Sequence, residues 1–147
     1  MNYGRLALTA VVATVVDMVY GFAVYGVAMA SQFASYPGIF RPMDTITGNI
    51  PLMVLGTLVG MSAVVYVYAK GYEGGSGVQE GMRFGLLVAV LMIGYVGVGN
   101  YVVMNIGRRL AASMAIAGLF EWIIVGAAIG AVYKQAAGSM SSRAARV

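Results

Sequence analysis

Two carboxyl side chains inside apolar stretches are the residues most able to do chemistry. Asp17 interrupts residues 6–30 and Glu121 interrupts residues 110–133, and each is the single charged residue of its stretch. Both lie near the middle of the stretch, so two membrane-spanning helices would place both carboxyls near the bilayer midplane. An ionised carboxyl at that depth costs ~2.5–3.5 kcal/mol, and the sequence places no Lys or Arg there to pair with it. We therefore expect at least one of the two to be protonated.

Three roles for this pair remain open from the sequence. Thr14 and Tyr20 lie one helical turn from Asp17, and Asn100 in a third apolar stretch could join them. The carboxyls could handle protons or cations. They could share a proton as an interhelical hydrogen bond, an interaction of ~0.6–2 kcal/mol in membranes. Either carboxyl could instead bind a basic side chain of another subunit.

Several other kinds of chemistry are excluded by residue type. The chain has no cysteine and no histidine, which excludes disulfides, thiolate nucleophiles and histidine-ligated metals. Its serines have no neighbouring base to activate them, so we predict no enzyme, no metal site and no cofactor. The nine basic residues are scattered and form no run of five, which argues against a nucleic-acid partner.

The elements that must position the carboxyls are four transmembrane helices. Of the 147 residues 61% are hydrophobic and 10% are charged, whereas soluble domains are about 25% charged. A bilayer core of ~30 Å needs ~20 apolar residues in a helix. Four stretches qualify, at residues 6–30, 50–69, 84–106 and 110–133. We predict an all-α, four-helix transmembrane bundle over residues 1–134 and a short basic tail over residues 135–147.

The distribution of basic residues predicts the orientation. Four spans place both termini on one side of the membrane. That side carries six bases and the other side three; the six are Arg5, Lys70, Arg83, Lys134, Arg143 and Arg146. The positive-inside rule therefore predicts that both termini and the 70–83 loop are cytoplasmic.

Two loops carry distinctive composition. Residues 70–83 contain five glycines but lack the order of a phosphate-binding loop, so we expect a tight turn. Ser76 followed by Glu80 suggests a short capped turn that leads into the third span. On the other side, Pro37 and Pro42 exclude a continuous helix through residues 35–44. This loop is expected to pack over the bundle, or else to serve in recognition.

Small residues at four-residue spacing predict where helices approach closely. Lipid chains are as apolar as leucine, so membrane helices associate through close backbone contact and polar contacts. Three glycine pairs have this spacing: Gly56 with Gly60, Gly81 with Gly85, and Gly126 with Gly130. We expect these glycines to lie in helix–helix interfaces.

Several segments resemble a family of small bacterial four-helix integral membrane proteins, a domain of unknown function. The resemblance covers nearly the whole chain and rests on YAKGYEGGSG (68–77), EGMRFG (80–85), YPG (36–38), RP (41–42), NIGRR (105–109) and EW (121–122). It implies a protein of the bacterial cytoplasmic membrane. It implies no activity and no catalytic residues.

These observations favour a non-enzymatic accessory or assembly subunit. Four helices of ~10 Å diameter enclose no water-filled interior, and glycine pairs on three spans suit a protein that contacts other helices. Its expected partners are the lipid bilayer and other membrane subunits or further copies of itself. The alternative is a small proton- or cation-coupled transporter or channel that uses Asp17 and Glu121.

Overall fold

Every regular element in the described part of the chain is a helix. The structure, a computed structural model, describes residues 2–133. The α-helices are α1 (Tyr3–Gly21), α2 (Ala30–Ala34), α3 (Met43–Ile46), α4 (Ile50–Gly71), α5 (Gly77–Met92), α6 (Val98–Val103) and α7 (Arg108–Tyr133). Two π-helical segments, Phe22–Ala28 and Ile93–Gly97, continue α1 and α5, and a 3₁₀ turn, Thr47–Asn49, precedes α4. The predicted all-α fold class is confirmed.

Four helical stretches are long and apolar enough to cross a membrane. They are Tyr3–Ala28, Thr47–Gly71, Gly77–Val103 and Arg108–Tyr133, and we call them the first to fourth spans. The number of spans matches the prediction, and it indicates a multi-pass membrane protein. The predicted basic tail at residues 135–147 lies outside the described residues.

The third span begins seven residues earlier than expected. Residues 77–83, which we expected to form part of a loop, are the first two turns of α5. Ser76 precedes the helix, but its side chain makes no capping hydrogen bond. Glu80 instead accepts a hydrogen bond from the Glu73 backbone N–H at 2.8 Å, which closes the shortened loop. Gly74 has a φ of 88°, a conformation that glycine adopts without strain, and it makes this turn possible.

Local signals set the starts of two other spans. At the start of α1, the Asn2 side chain accepts a hydrogen bond from the Arg5 backbone N–H at 3.0 Å, satisfying one of the free helix-terminal donors. At the start of α4, a proline occupies the first turn, where a missing N–H carries no penalty. The first span ends at Met29, whose N–H bonds to the Val24 carbonyl five residues back.

The fourth span is the central helix of the bundle. α7 packs against α5 and α1, and α1 also packs against α4. We call the end that holds Tyr3, the 72–76 loop and Tyr133 the proximal end, and the end that holds residues 29–46 and 104–107 the distal end. One core cluster fills the proximal half and consists of Ala10, Ala13, Met61, Val65, Tyr68, Val125, Ile129 and Tyr133. A smaller one at the distal end consists of Met29, Ile106, Leu110 and Ala117.

The second and third spans pack less closely against the bundle in the distal half. None of the α4 residues from Ile50 to Gly60 is buried, and no residue of the third span beyond Ala89 is buried. Tyr68 contacts Phe84 and Tyr133 at the proximal end, with ring centroids 5.3 and 6.0 Å apart. The bundle is therefore tight at the proximal end and open at the distal end.

Candidate functional site

The Glu121 carboxyl is held by a tyrosine in the middle of the bundle. The Tyr25 hydroxyl donates a hydrogen bond to Glu121 Oε2 at 2.8 Å. Tyr25 lies on the first π-helical segment, and Glu121 lies halfway along α7. Both side chains are half-buried. This bond satisfies a polar group that lipid could not satisfy.

A second tyrosine supports the first. The predicted site residue Tyr20 donates a hydrogen bond from its hydroxyl to the Ala117 carbonyl of α7 at 2.8 Å. Its ring meets that of Tyr25 edge-on, with centroids 6.3 Å apart. The two tyrosines thus fix the first span against the fourth span over one helical turn of α7, between Ala117 and Glu121.

Asp17 approaches this site without bonding to it. The side chain is half-buried on α1 and lies close enough to Glu121 and Tyr25 to interact with them electrostatically. Among the described residues no side chain or backbone group forms a hydrogen bond with the Asp17 carboxyl. The two predicted carboxyls therefore lie within electrostatic range of each other, but the hydroxyl of Tyr25, and not Asp17, is the partner of Glu121.

The site opens into a cavity of about 340 Å³ on the distal side. Tyr25, Glu121 and Trp122 line it, together with Asn100, which the sequence had associated with the carboxyls. The rest of the lining is mostly apolar and includes Ile93 and Gly97 of the second π-helical segment. Both π-helical segments therefore border the same cavity, and such segments are frequent at functional sites.

Thr14 does not take part in the site. Its buried hydroxyl donates to the Ala10 carbonyl of its own helix at 2.8 Å. Thr9, one turn nearer the proximal end and also buried, bonds in the same way to the Arg5 carbonyl at 2.7 Å. Both hydroxyls donate to a backbone carbonyl of their own helix, so neither extends the polar site toward the proximal end.

The proximal half of the bundle separates Glu121 from that end with apolar side chains. Val65, Val125 and Ile129 are all fully buried between Glu121 and the proximal surface. Beyond them, the rings of Tyr68 and Tyr133 meet edge-on. The cavity that reaches Glu121 thus opens on the distal side of a packed apolar layer.

The glycine pairs of the third and fourth spans form a direct backbone contact. A Cβ atom added at Gly81 would collide with the Gly126 carbonyl oxygen, and one at Gly130 would collide with the Gly77 carbonyl oxygen. Gly85 approaches the Trp122 carbonyl equally closely. We call this contact the glycine seam. The seam requires the backbones of α5 and α7 to approach closely from Gly77 onward, which explains why α5 begins at Gly77.

The glycine pair of the second span lies elsewhere. A Cβ atom added at Gly56 or Gly60 would meet no other helix of the described chain within 4 Å, and both glycines are exposed. Ala63 continues the same exposed face one turn later. The structure therefore does not place this pair in a helix contact within residues 2–133. We call Gly56, Gly60 and Ala63 the small-residue face.

Sequence reasoning missed Tyr25, which makes the closest contact to Glu121. A tyrosine inside an apolar span needs a partner for its hydroxyl, and that need was the available signal. The α-helical period does not place Tyr25 beside Glu121, because the i→i+5 hydrogen bonds of the π-helical segment shift the side chains that follow Gly21 out of α-helical register.

Comparison of the sequence with protein-family models, with curated proteins and with solved structures found no match. The function is therefore inferred from the chain's own residues and their geometry.

Proposed function

We propose that this protein is a non-enzymatic accessory or assembly subunit of a larger complex in the bacterial cytoplasmic membrane. The observation that carries the proposal is the small-residue face of the second span. Gly56 and Gly60 have the spacing of a helix-packing motif, are exposed, and contact no other helix within the described chain. A transmembrane helix of another subunit is the occupant that this face fits.

The glycine seam provides an internal comparison for this face. Two glycine pairs with the same four-residue spacing meet backbone to backbone where α5 crosses α7. A glycine inside a helix costs about 0.5–1 kcal/mol relative to alanine. In the seam, close packing offsets that cost. At Gly56 and Gly60 nothing in the described chain offsets it, and a partner helix would.

The open distal half supplies the surrounding surface for a partner. Leu52 and Val59 of the second span are 70% and 65% exposed, and they flank the small-residue face. In the third span, Tyr95 is 82% exposed. Apolar side chains tolerate lipid, but an exposed tyrosine hydroxyl at membrane depth gains from a polar partner on another helix.

The packed proximal half favours this role over transport. A carrier must expose its site to each side of the membrane in turn, so a polar path has to be able to form on both sides. Between Glu121 and the tyrosines Tyr68 and Tyr133 at the proximal end, the described core is apolar, and its two buried threonines bond to their own helices. The geometry supports a packed proximal half and a more open distal half.

The orientation belongs to the same proposal. We expect the proximal end to face the cytoplasm, because it carries most of the basic residues. The small-residue face then lies in the outer half of the membrane, where the second span separates from its neighbours.

Purification under native conditions tests the proposal. The protein is extracted in mild detergent from its own membrane, and the mass of the particle is compared with the 15.3 kDa of the chain. We expect a stable complex that contains other membrane subunits. A cysteine introduced at Gly60 should cross-link to one of those subunits. Recovery of only the monomer, or of only a homo-oligomer, contradicts the proposal.

A second candidate function is favoured by one specific observation. The Tyr25 hydroxyl bonds to Glu121 inside the fourth span, within electrostatic range of Asp17 and beside a cavity in the distal half. Intramembrane acids mark proton or ion pathways in many transporters. A small proton- or cation-coupled transporter that uses Asp17 and Glu121 is therefore the alternative.

A further inference from the structure

A second cavity, of about 350 Å³, lies at the distal end and is lined almost entirely by polar residues. One side of it is formed by α2 and the residues that follow α2, and the other side is formed by the start of α7. Five of its six lining residues carry polar side chains; the six are Ser31, Gln32, Ser35, Tyr36, Arg109 and Leu110. This composition contrasts with the mostly apolar cavity beside Glu121, so the two cavities suit different ligands.

The cavity presents a cation and hydroxyl donors. Arg109 pairs with no carboxylate in the part of the chain whose side chains are described. Tyr36 accepts a hydrogen bond from the Gly107 backbone N–H at 3.0 Å, which leaves its own hydroxyl proton available to a ligand. A guanidinium with neighbouring hydroxyl donors matches the oxygens of a phosphate group.

The same cavity contains an acceptor that lacks a donor. Gln32 Oε1 is buried and has no hydrogen-bond partner among the described residues. Buried polar groups in folded proteins nearly always have a partner. A ligand that carries a hydrogen-bond donor as well as a phosphate would satisfy this oxygen once the Gln32 side chain turns it toward the cavity.

The position of the cavity indicates where such a ligand comes from. Arg109 is the second residue of the fourth span, so the cavity lies at the level where that helix enters the headgroup region. A volume of about 350 Å³ is also roughly ten times the ~30 Å³ that one water molecule takes up. The space fits a phosphate together with the small polar group attached to it.

We propose that this cavity binds the headgroup of a glycerophospholipid whose phosphodiester is linked to a donor, such as phosphatidylethanolamine or phosphatidylglycerol. Arg109 and the Tyr36 hydroxyl bind the phosphate oxygens. Gln32 accepts a hydrogen bond from the ammonium or hydroxyl group of the headgroup. Phosphatidylcholine has the phosphate but no such donor, so it binds more weakly.

Native mass spectrometry of the delipidated protein in detergent tests this proposal. Phosphatidylethanolamine, phosphatidylglycerol and phosphatidylcholine are titrated separately, and the one-to-one lipid adduct is counted. We expect Arg109→Gln to weaken binding of the first two lipids by ~10-fold or more, as loss of a charge-assisted contact does. The matched control is Arg108→Gln, which removes the same charge from a neighbour that does not line the cavity. It should leave binding within about 2-fold of the native protein.

A second variant tests the donor requirement. Gln32→Leu should remove the preference for phosphatidylethanolamine over phosphatidylcholine while leaving phosphate binding in place. Arg109→Lys retains the positive charge and should retain part of the lipid binding. This variant keeps the proposal testable if Arg109→Gln does not fold.

Three results would overturn the proposal. Equal losses in Arg108→Gln and Arg109→Gln would indicate a general attraction of lipid to positive charge. Equal binding of phosphatidylcholine and phosphatidylethanolamine by the native protein would remove the role of Gln32. Displacement of the bound lipid by inorganic phosphate at millimolar concentration would assign the cavity to free phosphate.

Discussion

At the scale of single residues, the contact between Tyr25 and Glu121 decides how the buried carboxyl behaves. A hydroxyl donor at 2.8 Å needs an acceptor, and a carboxylate, a carboxylic acid and an amide all provide one. The structural demand at position 121 is therefore for an acceptor and not for a charge. A proton carrier has the opposite demand, since it needs a group that releases a proton.

Two substitutions at Glu121 separate these demands. Glu121→Gln keeps an acceptor for Tyr25, so its melting temperature in detergent should match that of the native protein. Glu121→Leu leaves the Tyr25 hydroxyl unpaired and should lower the free energy of unfolding by ~1–3 kcal/mol. Proton flux into liposomes is measured on the same samples, and we expect no flux above that of empty liposomes.

The second candidate function predicts a different pattern. Flux in the native protein that disappears in Glu121→Gln, without a change in melting temperature, would establish proton handling and contradict the assembly role. Asp17 supplies a comparison, because it makes no hydrogen bond in the described part of the chain. Asp17→Leu should therefore be tolerated.

At the scale of elements, the glycine seam holds the third span to the bundle. A methyl group at Gly81 meets the backbone of α7, which cannot move aside as a side chain could. Gly81→Ala should therefore lower the free energy of unfolding by ~1–3 kcal/mol, as overpacking does. The matched control is Gly99→Ala in the same span, where a methyl group meets nothing within 4 Å. It should be neutral or slightly stabilising, and equal melting of the two variants would contradict the seam.

Composition and length were enough to predict the spans, because an apolar run of ~20 residues has few other structures available to it. The start of the third span was not predictable in this way. Glu80, Arg83 and five glycines read locally as a loop, yet contact with α7 makes residues 77–83 helical. Tertiary packing overrides local propensity there.

The candidate site was partly predictable for a similar reason. The shared depth of Asp17 and Glu121 follows from counting residues, and Asp17 lies within electrostatic range of Glu121. Their partners depend on helix rotation, which the π-helical segment changes. Tyr25 was therefore missed, and the Thr14 hydroxyl bonds to the Ala10 carbonyl of its own helix. The four-residue spacing also cannot distinguish Gly56 and Gly60 from the pairs in the glycine seam. The spacing shows which residues share one face of a helix, but it does not show whether another helix packs against that face.

At the scale of the whole molecule, the proposed assembly role includes one orientation in the membrane, with the proximal end facing the cytoplasm. The absence of native cysteine allows single cysteines to be placed at Ser76 in the proximal loop and at Pro37 in the distal loop. Because the basic residues concentrate at the proximal end, a membrane-impermeant thiol reagent added outside intact cells should label position 37 and not position 76. Labelling of position 76 from outside would reverse the orientation.

The packed proximal half and the open distal half together fit the proposed role, in which helices of other subunits complete the bundle. Its second span contributes a small-residue face that no other helix of the described chain covers. A partner helix on that face would bury both glycines and the exposed side chains beside them. The central claim is that such a partner exists and that Gly56 and Gly60 are where it binds.

The mass of the particle purified in mild detergent tests that claim most directly when three proteins are compared. They are the native protein, the double variant Gly56→Leu with Gly60→Leu, and a control with Ala7→Leu and Ala23→Leu, which adds apolar bulk at two exposed positions of the first span. We predict that the native protein and the control remain in a complex with other membrane subunits, and that the double variant is recovered without them. A double variant that keeps the same partners and the same mass as the native protein would contradict the claim.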